Sequence, residues 1–216
     1  MTAKRHYRLL CPIARALDVV GDRWALLILR DLHAGPARFQ DLETGLGIAT
    51  NLLSTRLTEM NEAGLVEKST EAGRSVYQLT ELGRHTDRLI WELARFGAQL
   101  DPDPEPRQPG NLRTIALPLR MMLEAVPARP DLVARLLVDD DSFTIISTSH
   151  GVKVDYRDTN SEPDVVARTD YQGFLDAGER RISFDEFVTQ HLEIVDGAAH
   201  SDTFITLMRS AVTDHG

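Results

Sequence analysis

The sequence predicts two domains: a mainly α domain carrying a β-hairpin over residues 1–101, then an α+β domain over 112–216. Three observations predict this. Apolar residues recur at helical spacing through much of the first hundred positions. Between Leu65 and Leu79 the pattern changes to short apolar runs around a polar tip, the mark of a hairpin. The stretch 101–110, Asp-Pro-Asp-Pro-Glu-Pro-Arg-Gln-Pro-Gly, then places four prolines in ten residues, which forbids a regular helix or central strand and makes 102–111 a linker.

The elements of the first domain follow in order. Pro12 suits a first helical position, and Ile13, Leu17, Val20 and Trp24 form one apolar stripe after it. Asp22 can cap a second helix, Arg23 to His33, whose Ala25–Leu29 stretch is apolar nearly all round and is expected to be buried; Gly35-Pro36 stops it. A short amphipathic helical turn at Phe39–Leu42 leads to a glycine-bracketed turn, Gly45-Leu-Gly47, and then to a longer helix over Thr50–Ala63. That helix has two sides: Leu53, Leu57 and Met60 on one, and Asn51, Thr55, Thr58 and Glu62 on the other. Leu65–Lys68 and Ser75–Leu79 read as strands flanking a Ser69–Arg74 tip, and Thr80 caps one final helix through Leu89, Ile90, Leu93 and Phe96. So much terminal apolar helix on a small domain predicts a dimer.

Composition narrows the function classes. Of 216 residues, 42% are hydrophobic and 26% charged, which excludes wholesale disorder. No apolar run approaches the roughly 18 residues of a membrane span, and Arg15 and Asp18 interrupt any signal-peptide core, so a cytoplasmic protein without a membrane partner is expected. Charge is unevenly spread: residues 1–101 hold 13 cationic and 13 anionic side chains, residues 102–216 hold 11 and 20, so the whole net charge of −9 sits in the second half. An acidic chain argues against nucleic acid, but that objection does not reach the neutral first domain.

The dispersed string Cys11-Pro12, Leu17-Asp18-Val-Val-Gly21-Asp-Arg-Trp24, Leu26–Arg30, Arg38-Phe39 and Leu42 resembles the HxlR-type winged helix-turn-helix regulators. Leu53-Ser-Thr-Arg56-Leu57, Glu59, Gly64-Leu65-Val66 and Tyr77–Gly83 are similar to the same family's recognition helix, wing and last helix. The likeness covers residues 7–100 and implies a DNA-binding transcription regulator, a repressor rather than an activator. A helix fits the major groove, its early residues approach base edges, and flanking cations and hydroxyls hold phosphates. On that pattern Asn51 and Thr55 are candidate base readers; Ser54 and Arg56 touch backbone or base edges; Lys68 and Arg74 flank the wing; Arg38 meets a phosphate. Singly, each arginine also reads as an ordinary solvated charge. Family members commonly carry serine where this chain has Ala49, a loss of about 1 kcal/mol of capping, and Thr50 is expected to take over the cap and join the DNA-facing set. A neutral domain binds phosphate weakly, so two copies on a two-fold symmetric operator, with half-sites roughly 34 Å apart, are expected.

Cys11 has two readings. As the chain's one cysteine it excludes a disulfide framework. At a helix N-terminus, where the dipole favours a thiolate, it is a redox-sensing candidate; otherwise it is a small residue in a dimer interface.

The second domain is α+β in pattern. Leu112–Leu123 has helical spacing, and Pro130 opens a further helix with Leu132, Val133, Leu136 and Leu137, ended by Asp139–Asp141. Phe143–Ser149 and Val152–Tyr156 form a hairpin around His150-Gly151. Asp164–Arg168 and Leu192–Val195 read as strands, Tyr171–Leu175 and Ser183–Thr189 as short helices, and Asp202–Ala211 as a closing helix. The order, with Asp164–Leu175, Phe184–Phe187 and Leu192–Gly197, resembles the sterol-carrier-protein type of domain, which implies an apolar cavity and a hydrophobic small-molecule effector. Candidate lining residues are Met121, Met122, Phe143, Phe174, Phe184, Phe187, Phe204 and Met208; each equally suits a plain core.

Catalysis is not expected. Asp139–Asp141 alternate in direction, as in a solvated turn. Ser183, Asp185 and His191 lack a nucleophile elbow, Gly45-Leu-Gly47 lacks a preceding strand, and there is no His-Glu-x-x-His, so neither cofactor nor metal is implied. The competing function is a redox-responsive regulator working through Cys11, its second domain only a dimerisation or protein-interaction module.

Overall fold

The computed structural model describes residues 6–71, 73–100, 111–158 and 160–213. The chain divides into two units, one holding the residues up to Gly97 together with Asn111, the other holding Ala98–Leu100 and the residues from Leu112 onward. Apart from Asn111, the expected linker at 102–111 lies outside the described residues.

In the first unit, helices α1 (Pro12–Val20), α2 (Ala25–Leu32), α3 (Phe39–Leu46) and α4 (Thr50–Glu62) precede a hairpin of β1 (Val66–Glu71) and β2 (Arg74–Leu79), with α5 (Glu81–Arg84) and α6 (Asp87–Gly97) after it. Ile28, Leu29, Leu42, Leu53 and Leu57 are buried together with Val66, Val76 and Leu79 of the hairpin, so the core joins the helices to the strands. Three local expectations need correction. The chain does not turn at Gly45: α3 runs through it and ends at Gly47, whose φ of 61° gives the left-handed cap. The final helix breaks in two, because buried Thr86 turns its hydroxyl onto the Gly83 carbonyl at 2.7 Å while its own N–H takes the same carbonyl, tightening the chain into an i to i+3 turn. Asp22 precedes the cap position of α2, which Trp24 fills, although its carboxylate accepts the Trp24 N–H at 2.9 Å.

The second unit opens with a 3-10 turn, Leu112–Ile115, and continues through α7 (Ala116–Glu124), β3 (Leu132–Val138), β4 (Asp141–Thr148), β5 (Gly151–Tyr156), β6 (Val165–Thr169), α8 (Tyr171–Gly178), α9 (Phe184–Gln190), β7 (Glu193–Asp196) and α10 (Ser201–Thr213). Its five strands form one sheet in the order β5-β4-β3-β6-β7, antiparallel except for the β3–β6 pair. The fold is α+β, as expected, with one correction. The segment 132–138 is the central strand and not a helix: Leu132, Ala134, Leu136 and Val138 are buried in strict alternation. Both faces of this strand are largely apolar, which removes the polar alternation that separates a strand from a helix in so short a run.

Candidate nucleic-acid interface

The sides of α4 differ as the sequence predicts. Leu53, Leu57 and Met60 are buried, while Asn51, Ser54, Thr55 and Thr58 are exposed. The exposed hydroxyls lie along the helix backbone: Thr55 Oγ1 donates to the Asn51 carbonyl and Thr58 Oγ1 to that of Ser54, both at 2.9 Å. Each oxygen retains acceptor capacity. The Asn51 side-chain oxygen accepts the Leu52 N–H at 2.9 Å.

Two expectations on this helix are corrected. Ala49 fills the cap position with no side-chain hydrogen bond, and Thr50 does not replace it; as the first helical residue Thr50 donates its hydroxyl to the Glu43 carboxylate of α3. Arg56, expected to touch backbone or base edges, is held in ion pairs within its own unit. Its Nη2 lies 3.0 Å from Asp22 Oδ2, its Nη1 2.5 Å from Glu59 Oε2, and its buried Nε has no hydrogen-bond partner. One helical position before Leu57 it sits at the border of the packed side, where the loop before α2 offers a carboxylate, so it staples α4 to that loop. Sequence reading also missed Asn61, whose Nδ2 donates to the Val66 carbonyl at 3.0 Å and ties the end of α4 to the start of the hairpin. The Arg56–Glu59 pair is an i,i+3 spacing on one helix, whereas no sequence signal marks the contacts with Asp22 and with the Val66 carbonyl, which depend on segments brought together by folding.

The other candidate cations lie at the cap of α3 and on the hairpin. Arg38 is exposed at the cap of α3, with its backbone N–H donated to Asp41. Arg74 is exposed at the start of β2 opposite Glu71. Lys68 is exposed and its ammonium lies 5.9 Å from the centre of the Tyr77 ring on the paired strand. Beyond the hairpin, Ile13 on α1 is 70% exposed and Phe96 on α6 is 58% exposed, with Leu17, Leu89 and Leu93 exposed as well. Cys11 is partly exposed at the cap of α1, its backbone extended and its thiol making no cap bond.

The candidate ligand-lining residues of the second unit are mainly core. Phe143, Phe187 and Phe204 are fully buried, Phe184 and Met208 nearly so, and Met121, Met122 and Phe174 are half-buried. Phe143 packs edge-on against Tyr156, with ring centres 5.6 Å apart. An open cleft of about 500 Å³ lies elsewhere in this unit, between Val126, Arg129 and Pro130 on one side and Thr203, Thr206 and Leu207 of α10 on the other; its lining includes none of the candidate residues. Arg129 is held by backbone carbonyls of Glu124, Val126 and Thr148.

The polar residues considered for catalysis are paired otherwise. Ser183 bonds Glu186, Asp185 meets Arg209, and His191 Nδ1 lies 2.8 Å from Asp170. Asp141 accepts from the Tyr156 hydroxyl and from Arg157, and burial together with that carboxylate pushes Tyr156 up to about 12, against the opposing pull of Arg157 and Arg113. Among the described residues no group of three or more His, Cys, Asp or Glu side chains could hold a metal ion, and no helix is long and apolar enough to cross a membrane.

A family model described as HxlR-like helix-turn-helix matches residues 19–103. The HTH-type transcriptional regulator YodB of Bacillus subtilis is 30% identical over 95 residues, which span 42% of this chain and 85% of YodB. The chain belongs to the HxlR-like helix-turn-helix family. Its HxlR-like unit is also 42% identical over 96 residues to the uncharacterised HTH-type transcriptional regulator Rv3095 of Mycobacterium tuberculosis, where the match spans 43% of this chain and 61% of that relative's length. A solved structure of the ubiquinone synthesis protein UbiJ-SCP2 is similar at 17% identity and a TM-score of 0.35, covering 50% of this chain and 95% of that one.

Proposed function

We propose that this chain is a transcriptional regulator that binds duplex DNA as a homodimer, each copy laying α4 in the major groove with the hairpin against the neighbouring backbone. The observation that carries the reading is the exposed row Asn51, Ser54, Thr55 and Thr58, directly opposite the buried Leu53, Leu57 and Met60. These are short polar side chains suited to base edges and phosphates. Arg38, Lys68 and Arg74 supply phosphate contacts, while Arg56 holds the reading helix in place. Two copies are needed because so few cations give weak binding singly. The exposed apolar sides of α1 and α6 supply the contact between them. The regulator works as a repressor, by occupying DNA that transcription requires.

Selection of random duplexes by the purified protein tests this. The expected result is enrichment of an inverted repeat with half-sites about one helical turn apart, and a dimer in sedimentation at micromolar concentration. No enrichment, or equal enrichment by an Asn51→Ala, Thr55→Ala double variant, refutes it.

In this reading the second unit senses a hydrophobic effector. The effector must bind one arrangement of the dimer better than another, with a coupling of about 1–3 kcal/mol. A specific observation favours a second reading, in which the unit steadies the dimer or docks another protein: Phe143, Phe187 and Phe204 fill the space that an enclosed apolar cavity needs. Mass spectrometry of lipophilic molecules extracted from the purified protein separates the two. A bound molecule whose removal changes DNA affinity supports sensing; an empty protein supports the docking role.

A further inference from the structure

Asn111, the residue immediately before the second unit, has a fitted place in the first. The carboxylate that receives it belongs to Asp31 of α2, whose side chain is 0% exposed. A buried carboxylate is costly unless both oxygens meet donors. Here Oδ1 accepts from Nε and Nη2 of Arg30, at 2.9 and 2.7 Å, and Oδ2 accepts from Nδ2 of Asn111 at 2.7 Å. The neighbouring helix is shaped for the same side chain. Gly45 lies inside α3, where glycine weakens a helix relative to alanine. A Cβ at that position would come within 2.2 Å of Asn111 Nδ2 and 2.8 Å of its Cγ. The glycine and the buried aspartate are thus two independent features that accommodate one carboxamide from far along the chain.

This place connects to α4 by short steps. Gly45 stands two positions after Glu43, whose carboxylate accepts the Thr50 hydroxyl at the start of α4. A shift of α3 at Gly45 therefore pulls on the first turn of the reading helix. In the other direction the next residue along the chain, Leu112, opens the long stretch of the second unit.

We propose that Asp31 and Gly45 form a dock for the Asn111 carboxamide, and that this dock is the clasp through which the second unit acts on α4. Seated, Asn111 fixes α3 and with it the first turn of α4. Released, it takes a donor from Asp31 and leaves α3 able to move. The effect on DNA rests on the function proposed above; the dock itself does not.

Two measurements on the full chain test it, using Asn111→Ala and Gly45→Ala. Hydrogen exchange is followed by mass spectrometry over α2, α3 and residues 111–115, and affinity is measured for the duplex recovered by selection. The expected result is that Asn111→Ala speeds exchange over α2 and α3 by at least about fivefold, of the order of one lost hydrogen bond to a buried charge. Gly45→Ala, which crowds the carboxamide out, is expected to speed exchange at 111–115 by a similar factor. DNA affinity is expected to change by at least about fivefold in Asn111→Ala, the low end of allosteric couplings. Exchange unchanged in both variants overturns the dock. Exchange raised with affinity unchanged overturns the clasp. A wild-type protein that selects no duplex defeats the proposed function instead, and the exchange data still decide the dock.

Discussion

Gly173→Ala offers a test of packing in which the sign of the effect depends on a single neighbour. Gly173 is buried in the first turn of α8, and an added Cβ would lie 2.4 Å from both Cγ and Nδ1 of His191. The imidazole must leave. Leaving breaks its contact with Asp170, 2.8 Å away, and its stacking on Phe187, whose ring centre is 6.4 Å off. The Asp170–His191 pair is partly solvated, so its loss is worth about 1 kcal/mol and not the full value of a buried pair. The stack adds about 0.5–1 kcal/mol, and imperfect repacking about 1–3 kcal/mol. Against this, alanine in place of glycine in a helix returns about 1 kcal/mol. The expected net loss is about 1.5–4 kcal/mol. In a His191→Ala background the crowding disappears, so the same substitution is expected to stabilise by up to about 1 kcal/mol. Both tryptophans, Trp24 and Trp91, lie in the first unit, so intrinsic tryptophan fluorescence is the wrong probe. Hydrogen exchange over peptides covering α8 and α9 reports the right region. Equal destabilisation in the two backgrounds would refute the reasoning, because it would mean that His191 is not what excludes the methyl group.

Other expectations follow from the same contacts. Burial tends to raise the Asp170 pKa, but the Gly173 N–H and His191 together bring it below its ordinary value of 3.8; its contribution is therefore fully present above that value and fades as the pH falls through the lowered one, and Asp170→Asn should flatten the stability profile of the second unit between about pH 5 and about pH 2. Leu57→Ala, at a position 2% exposed, should cost about 2–5 kcal/mol in thermal melts of the first unit, whereas Ser54→Ala on the opposite side of α4 should stay within about 0.5 kcal/mol and instead weaken DNA binding. Ile13→Glu combined with Leu93→Glu should yield a monomer in sedimentation; a persistent dimer would place the interface elsewhere. Cys11→Ser should abolish any oxidant response of DNA binding, and a response equal to wild type would remove the thiol from consideration.

The parts of the fold that could be read in the sequence are those whose burial is one-sided. In α4 the Leu53, Leu57 and Met60 spacing reveals the packed side, and with it the polar residues left outside. Asn51, Ser54 and Thr55 were legible for that reason. The segment 132–138 was not, because a strand at the centre of a sheet is apolar on both faces and matches either period. The break before α6 was hidden too, since nothing local announces that Thr86 will turn its hydroxyl back onto Gly83. Arg56 illustrates a third limit: its position one residue before Leu57 is compatible with a groove or with an ion pair, and Asp22, which decides between them, reaches it only through folding. In the second unit Phe143, Phe184, Phe187 and Phe204 are buried and Phe174 is half-buried, but composition cannot separate a filled interior from a hollow one.

The outer strand β7 bears on how copies of this molecule meet at high concentration. It spans only Glu193–Asp196, carries an acid at each end, and pairs with β6 through a register shift at Val166/Ala167. Short length, like charge and an irregular ladder each discourage a second sheet from zipping onto an open border. The acidic surplus of residues 102–216 acts in the same sense by repelling similar surfaces. Crowding should therefore not fuse these molecules through β7, so of the two borders of the sheet only β5 is left open to a second copy.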